Sequence, residues 1–107
     1  MILVIIPGRP KKEKIKIKDG VCDLVILVNV LYLIEKKEPV IKEVNRILKP
    51  KSQAIFIEWE PEKIVFKTEI YPVSKNDLQK LIEKNSFKKI KEFSPSQFHY
   101  GLIYEKI

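Results

Sequence analysis

Side chains able to take part in chemistry are few in this sequence, and the best placed of them follow two apolar runs. Asn29 lies at the end of the first run, and Tyr32 comes three residues later. Glu58 and Glu60 flank Trp59 at the end of the second run. Open α/β sheets bind ligands at the carboxyl ends of their strands. The pattern therefore predicts a ligand site at Asn29, and a carboxylate pair able to bind an amine or act as a base.

Each of these positions also has a purely structural interpretation. Asparagine often caps a loop, and charged residues are ordinary at strand ends. Tyr32 could be an aromatic at the margin of the core with its hydroxyl in water. His99, the only histidine, lies inside an alternating segment and is expected to be structural.

Several kinds of site are excluded by what the sequence lacks. With Cys22 as the only cysteine, an internal disulfide cannot form, and a reducing cytoplasm is expected. One cysteine and one histidine do not supply a zinc site, so we predict no metal and assign no catalytic residue. No apolar run reaches the length of a membrane helix, so no membrane association is expected.

The charge balance permits a polyanion as partner. The chain of 107 residues carries a formal net charge of +7. Six basic residues lie close together, so nucleic acid is one possible ligand, and a solvated loop or a lysine-protected edge strand is the alternative. These residues are Arg9, Lys11, Lys12, Lys14, Lys16 and Lys18. The abundance of charged residues, at 33%, fits a thermophile or an AT-rich genome.

The elements that must position these residues follow from hydrophobic periodicity. A buried strand over 23–30, a helix over 38–49 that ends before Pro50 and a strand over 53–58 form a βαβ unit. Three more strands and a second helix are expected, the helix capped by Ser74 and closed by Asn85 in a left-handed conformation. These strands cover residues 2–6, a wholly apolar run expected to be buried, and residues 87–93 and 98–106, expected to pair as an antiparallel hairpin.

The order of elements predicts one domain, 1–107, with an α/β fold and a mostly parallel sheet that ends in an antiparallel C-terminal hairpin. Several sequence segments also resemble those of one protein family. Asp19-Gly20-Val21-Cys22-Asp23-Leu24-Val25-Ile26, followed by Val30-Leu31-Tyr32-Leu33, is similar to the central strand and loop of class I S-adenosylmethionine-dependent methyltransferases of the type 11 branch. Glu43-Val44-Asn45-Arg46-Ile47-Leu48-Lys49-Pro50 and the helix from Leu78 to Phe87 resemble later segments of that family.

The resemblance implies a three-layer, Rossmann-like methyltransferase fold and S-adenosylmethionine as cofactor. In that family Asn29 would hold the amino-acid end of the cofactor, and Tyr32 would contact the ligand or the methyl acceptor. The family's glycine-rich cofactor loop has no counterpart, because Gly8, Gly20 and Gly101 are the only glycines and lie far apart. The chain therefore looks like the C-terminal half of such a domain, truncated before the central strand, and we expect weak binding of the cofactor or none.

Three functions remain as hypotheses. The first is a methyltransferase-like protein that lacks the cofactor-binding half and is inactive alone. The second is a non-catalytic oligomerising or regulatory interaction module, and the third is a basic nucleic-acid-binding protein. A central strand without neighbours would leave an exposed sheet edge. Either the run 2–6 folds back beside it, or a partner chain covers it, and we expect a homo-oligomer, in particular a dimer.

Overall fold

The computed structural model of this chain describes residues 1–6, 16–65 and 69–107. It contains five strands, two α-helices and two short 3₁₀ turns. In chain order these are β1 (Ile2–Ile5), β2 (Cys22–Val28), a first 3₁₀ turn (Leu31–Leu33), α1 (Glu38–Ile47), β3 (Leu48–Trp59), a second 3₁₀ turn (Pro61–Lys63), α2 (Lys75–Glu83), β4 (Phe87–Ser96) and β5 (His99–Lys106).

All five strands belong to one sheet, in the order β1-β2-β3-β5-β4. The β1–β2 and β2–β3 pairs are parallel, while β5 is antiparallel to both of its neighbours, β3 and β4. Four strands consequently run in one direction and only β5 is reversed. The predicted fold class, a mostly parallel sheet with an antiparallel C-terminal hairpin, is confirmed.

The two helices begin where their local sequences favour a helix start. In α1, Pro39 occupies the first turn, where a missing N–H breaks no helical hydrogen bond, and Glu38 lies at the positive end of the helix dipole. In α2, the Ser74 Oγ accepts a hydrogen bond from the Asp77 N–H at 3.2 Å, as the capping pattern predicts. The Asn45 side chain of α1 donates to the Asn85 carbonyl beyond α2 at 3.1 Å, which ties the helices together.

Both helices pack on the same face of the sheet. The fully buried residues of α1 and α2 form one cluster with alternate residues of the strands, including Val25, Leu27 and Phe56. The Phe56 ring contacts Phe87 and Tyr104 edge to face, with centroids 6.2 and 6.5 Å apart. The hydrophobic core therefore lies between the sheet and a single helix layer. Of the three layers expected, these two are formed by the described residues.

The opposite side of the sheet is covered by neither helix, and we call it the open face. Its residues follow from the strand register, because side chains of paired residues point to the same side. Apart from the buried Gly101, these residues are partly buried or exposed and most are apolar; the polar ones are Gln53, Lys88, Lys91, Ser96, His99 and Glu105. The apolar members are Ile2, Val4, Leu24, Ile26, Val28, Ile55, Ile57, Trp59, Phe93 and Ile103.

The run at residues 2–6 forms a strand, as predicted, and pairs with β2. It was also predicted to be buried, and this is wrong, because β1 lies at the sheet edge and exposes every second side chain. Helix α1 was expected to reach Lys49 but ends at Ile47. Pro50 lies instead inside β3, where the register to β2 shifts and Lys51 has a φ of 64°. A proline is tolerated in such a bulge.

Two further details differ at the second helix and the hairpin. The left-handed residue after α2 is Ser86, with a φ of 64°, rather than Asn85. Asn85 uses its side chain instead, donating to the Leu81 carbonyl at 2.8 Å and the Glu38 carboxylate at 3.1 Å. The strand β4 was expected to end at residue 93 but continues through Ser94-Pro95-Ser96, so the hairpin turns only at residues 97–98. Most of the basic cluster, from Arg9 to Lys14, falls outside the described residues.

Candidate functional site

The loop after β2 carries both predicted ligand residues, Asn29 and Tyr32. Asn29 has a left-handed backbone with a φ of 54°, which asparagine tolerates better than most side chains. Its N–H donates to the Ile57 carbonyl at 2.9 Å, so the loop leaves the sheet in register with β3. The next residues enter the first 3₁₀ turn, in which Tyr32 is the middle residue. The structure therefore places both residues in one short loop at the carboxyl end of β2.

The side-chain oxygen of Asn29 is a buried acceptor without a donor. Its Oδ1 atom is out of contact with solvent and has no hydrogen-bond partner among the described residues. A buried carbonyl oxygen that makes no hydrogen bond costs on the order of 1–3 kcal/mol. An N–H group of a ligand or of another polypeptide segment would remove that cost. Asn29 is thus the one predicted site residue whose geometry calls for an external donor.

Glu58 holds this loop in place. Its carboxylate is almost fully buried, at 1% exposure, and accepts three backbone N–H groups from the loop. Oε2 accepts from Val30 at 3.1 Å and Leu31 at 2.9 Å, and Oε1 accepts from Tyr32 at 3.1 Å. These N–H groups start the 3₁₀ turn and have no partner within it. The end of β3 is thereby fastened to the loop that follows β2.

Burial and hydrogen bonding act in opposite directions on Glu58. Burial raises its pKa to about 7, against the three N–H donors and the positive charge of Lys37, which lower it. The oxygens that would accept a proton from a substrate are occupied by backbone N–H groups. Glu58 therefore acts as a structural anchor of the loop, and the predicted use of the carboxylate pair as a base finds no support in this geometry.

Glu60 faces different surroundings from Glu58. Its N–H donates to the Phe98 carbonyl at 2.8 Å, and its side chain lines a shallow concavity of about 130 Å³ beside Lys75 and Tyr100. The two carboxylates consequently do not form a pair around one ligand position.

Lys37, a further residue at the site, was not predicted from the sequence. Its side chain is 9% exposed, and its Nζ donates to the carbonyls of Ile34 at 2.5 Å and Tyr71 at 2.6 Å. Burial lowers the pKa of this ammonium, while Glu58 raises it. The Tyr71 N–H in turn donates to the Tyr32 carbonyl at 2.6 Å. Lys37 stands in an ordinary charged run in the sequence, so no signal distinguished it.

His99 is the first residue of β5, and its Nε2 atom is buried without a hydrogen-bond partner among the described residues. Its ring lies against the Trp59 ring with centroids 4.2 Å apart, and its Nδ1 is 2.7 Å from the Ser96 hydroxyl. Within the described ranges, no group of acidic, histidine or cysteine side chains is arranged to hold a metal. None of the described helices has the length and apolar character needed to cross a membrane.

Comparison with known proteins agrees with this fold. Residues 9–56 match the family model of a methyltransferase domain. No protein of the curated set matches the sequence. Among solved structures, a Sulfolobus solfataricus protein assigned as a type 11 methyltransferase has a TM-score of 0.72 and 26% identity, over 91% of this chain and 57% of its own.

Two further solved structures share the fold at lower identity. A SAM-dependent methyltransferase from Aquifex aeolicus has a TM-score of 0.74 at 14% identity, covering 94% of this chain and 54% of its own. One from Thermotoga maritima has 0.74 at 20% identity, covering 87% and 60%. The chain thus spans little more than half the length of these structures. The predicted resemblance is confirmed: this chain has a partial Rossmann-like fold and is similar to part of a methyltransferase domain of the type 11 kind.

Proposed function

We propose that this chain is a methyltransferase-like module that supplies the loop for the amino-acid end of S-adenosylmethionine but cannot hold the cofactor alone. The unpaired Oδ1 of Asn29 carries this proposal. The α-ammonium of the cofactor is a donor of the kind that this acceptor lacks. Tyr32, in the same loop, is the second residue proposed to contact the ligand.

The rest of the cofactor fits the described residues poorly. A nucleoside needs a concave wall, and glycines are usual where backbone must approach a ligand closely. Of the described glycines, Gly20 lies in a surface turn, and Gly101 lies beneath the Phe93 ring. Two concavities of the described residues, of about 450 and 130 Å³, are lined by neither Asn29 nor Tyr32. We therefore derive no methyl-transfer step, and the chain alone is proposed to be inactive.

Methionine and adenosine, the two halves of the cofactor, test separately whether the chain binds its amino-acid end and whether it binds its nucleoside. In an NMR titration, millimolar methionine should shift the Asn29 side-chain amide and the Tyr32 backbone amide, while adenosine should shift neither. Asn29→Gly removes the amide and suits the left-handed backbone, so it should abolish the methionine response. Ser86→Gly, another left-handed position far from the loop, is the matched control and should leave the response unchanged. Shifts caused by adenosine and not by methionine would overturn the assignment.

Calorimetry with the whole cofactor tests the proposed lack of binding. S-adenosylmethionine up to about 1 mM should give no saturable heat with the isolated chain, because only one end of it is held. A dissociation constant in the micromolar range, about 8 kcal/mol of binding free energy, would show that the chain holds a complete site.

A second candidate function is a non-catalytic interaction module. The apolar open face favours it, since a sheet of this kind is normally covered on both sides. The outer edge of β1, which pairs with no other described strand, favours it as well. The third candidate, nucleic-acid binding, is supported only by net charge, because no exposed aromatics are interleaved with the basic cluster. Binding to single-stranded DNA that does not weaken with salt would exclude phosphate contacts as its basis.

A further inference from the structure

The open face has the anatomy of a protein interface. Its middle row runs through Val4, Ile26, Ile55 and Ile103, which the strand register places side by side across four strands. Polar groups lie at the ends of the face, where Lys88 and Glu105 approach to 3.9 Å. An apolar centre inside a polar rim is the usual pattern of specific protein contacts.

The two edges of the sheet are protected very differently. The β4 edge carries exposed lysines and a register shift, both of which discourage pairing with another strand. The β1 edge has neither, because every residue from Met1 to Ile6 is apolar. Ile2 and Val4 are 66% and 52% exposed on the open face. The apolar surface therefore extends without interruption to an edge that pairs with no other described strand.

The size of the open face suits a dimer. Counting β4, whose Lys88 and Lys91 form a charged margin of the face, five strands about 4.8 Å apart, with about six residues each at roughly 3.3 Å per residue, form a face of roughly 24 by 20 Å, or about 480 Å². Two such faces in contact would remove on the order of 1,000 Å² from water, which is the least that a specific interface normally buries. A partner that covered β1 alone would leave most of this surface exposed.

We propose that a second copy of this chain packs its open face against this one about a twofold axis. Two sheets stack about 10 Å apart when their inner faces are apolar. The middle row is uncharged from β1 to β5, and its one charged residue, Lys91, lies on the outer strand β4, so an identical copy keeps charge out of the centre of the contact. The Lys88–Glu105 pair lies within one chain at the rim, where it stays solvated. This proposal rests on the face alone and does not depend on cofactor binding.

Sedimentation equilibrium of the full chain tests the proposal. Over about 1 to 500 μM the mass should rise towards twice 12.6 kDa and stay there. A monomer at every concentration would overturn the proposal, and the face would then await a different polypeptide or none. Growth beyond the dimer would overturn it as well, because twofold contact of two faces is closed.

Two lysine substitutions locate the contact. Val4→Lys places a charge on the open face at a position exposed enough to be tolerated in the monomer, and it should weaken dimerisation about tenfold or more. Val65→Lys introduces the same charge at a residue that is 85% exposed and lies in the loop after the second 3₁₀ turn, outside the sheet, and it should leave the dimer unchanged. Circular dichroism verifies that both variants are folded. Equal effects of the two substitutions, or none for Val4→Lys, would refute the assigned face.

Discussion

Neutralising Glu58 should remove a pH dependence of stability that the wild-type chain shows between pH 5 and 8. This carboxyl has its pKa raised by burial from 4.5 to about 7 in the folded chain. Between these two values the folded state binds more protons than the unfolded state, so the free energy of unfolding falls as the pH rises. A shift of about 2.5 pH units corresponds to roughly 3 kcal/mol.

The substitution Glu58→Gln keeps the size of the side chain but cannot ionise. Its single acceptor oxygen can serve the N–H groups of Val30 and Leu31, and its amide then faces the N–H of Tyr32. The resulting unpaired donor should cost about 1–3 kcal/mol at pH 5. At pH 8 the deficit should shrink or reverse, because only the wild-type chain then carries a buried charge.

Urea denaturation at pH 5, 6, 7 and 8 measures this difference. Two other carboxyls, Asp23 and Glu92, have pKa values lowered to about 2 by lysine side chains, Asp23 also by the chain's amino terminus and Glu92 also by Gln79. They lose their stabilising effect only as the pH falls below 4, outside the assay window. Glu60→Gln is the matched control and should keep the wild-type slope. A wild-type stability that is constant or rises from pH 5 to 8 would refute the reasoning.

Two further substitutions test the packing of the fold by urea denaturation at pH 7. Ser74→Ala removes the acceptor for the Asp77 N–H at the start of α2 and should destabilise the chain by about 1 kcal/mol; an unchanged midpoint would argue against the cap. Gly101→Ala places a methyl group about 2.5 Å from the Phe93 ring, which should cost about 1–3 kcal/mol. Phe93→Leu in the same chain should restore part of that loss, and an equal cost with and without Phe93 would contradict the contact.

The sequence was sufficient for the elements whose burial pattern is regular. The apolar run before Asn29 predicted β2, and the helical spacing of Val40, Ile41, Val44 and Ile47 predicted which side of α1 is buried. The end of α1 was placed two residues late, because Pro50 was expected to terminate a helix. It lies instead in an irregular stretch of β3 that makes no regular ladder with β2. The effect of a proline depended on tertiary pairing that the local sequence does not encode.

The candidate site was predictable in position but not in its chemistry. The rule that parallel sheets bind ligands at the carboxyl ends of their strands pointed to Asn29 and the nearby Tyr32. The structure brings both residues into one loop at the carboxyl end of β2. The role of Glu58 as an anchor of three N–H groups depends on the distance between two strand ends, which the sequence does not reveal. Lys37 gave no signal, since one lysine in a charged run looks like another until its burial is known.

The open face is the feature from which the dimer is inferred, and methyl NMR with a soluble paramagnetic agent measures it. Isoleucine methyl groups report on both sides of the sheet. Ile26, Ile55 and Ile103 lie on the open face, whereas Ile41, Ile47 and Ile82 belong to the helices and are buried in the core. At high dilution the open-face methyls should relax strongly and the others should not. As the concentration rises, the open-face methyls should become protected with the dissociation constant found by sedimentation. Equal protection of both sets at high dilution would contradict an open face.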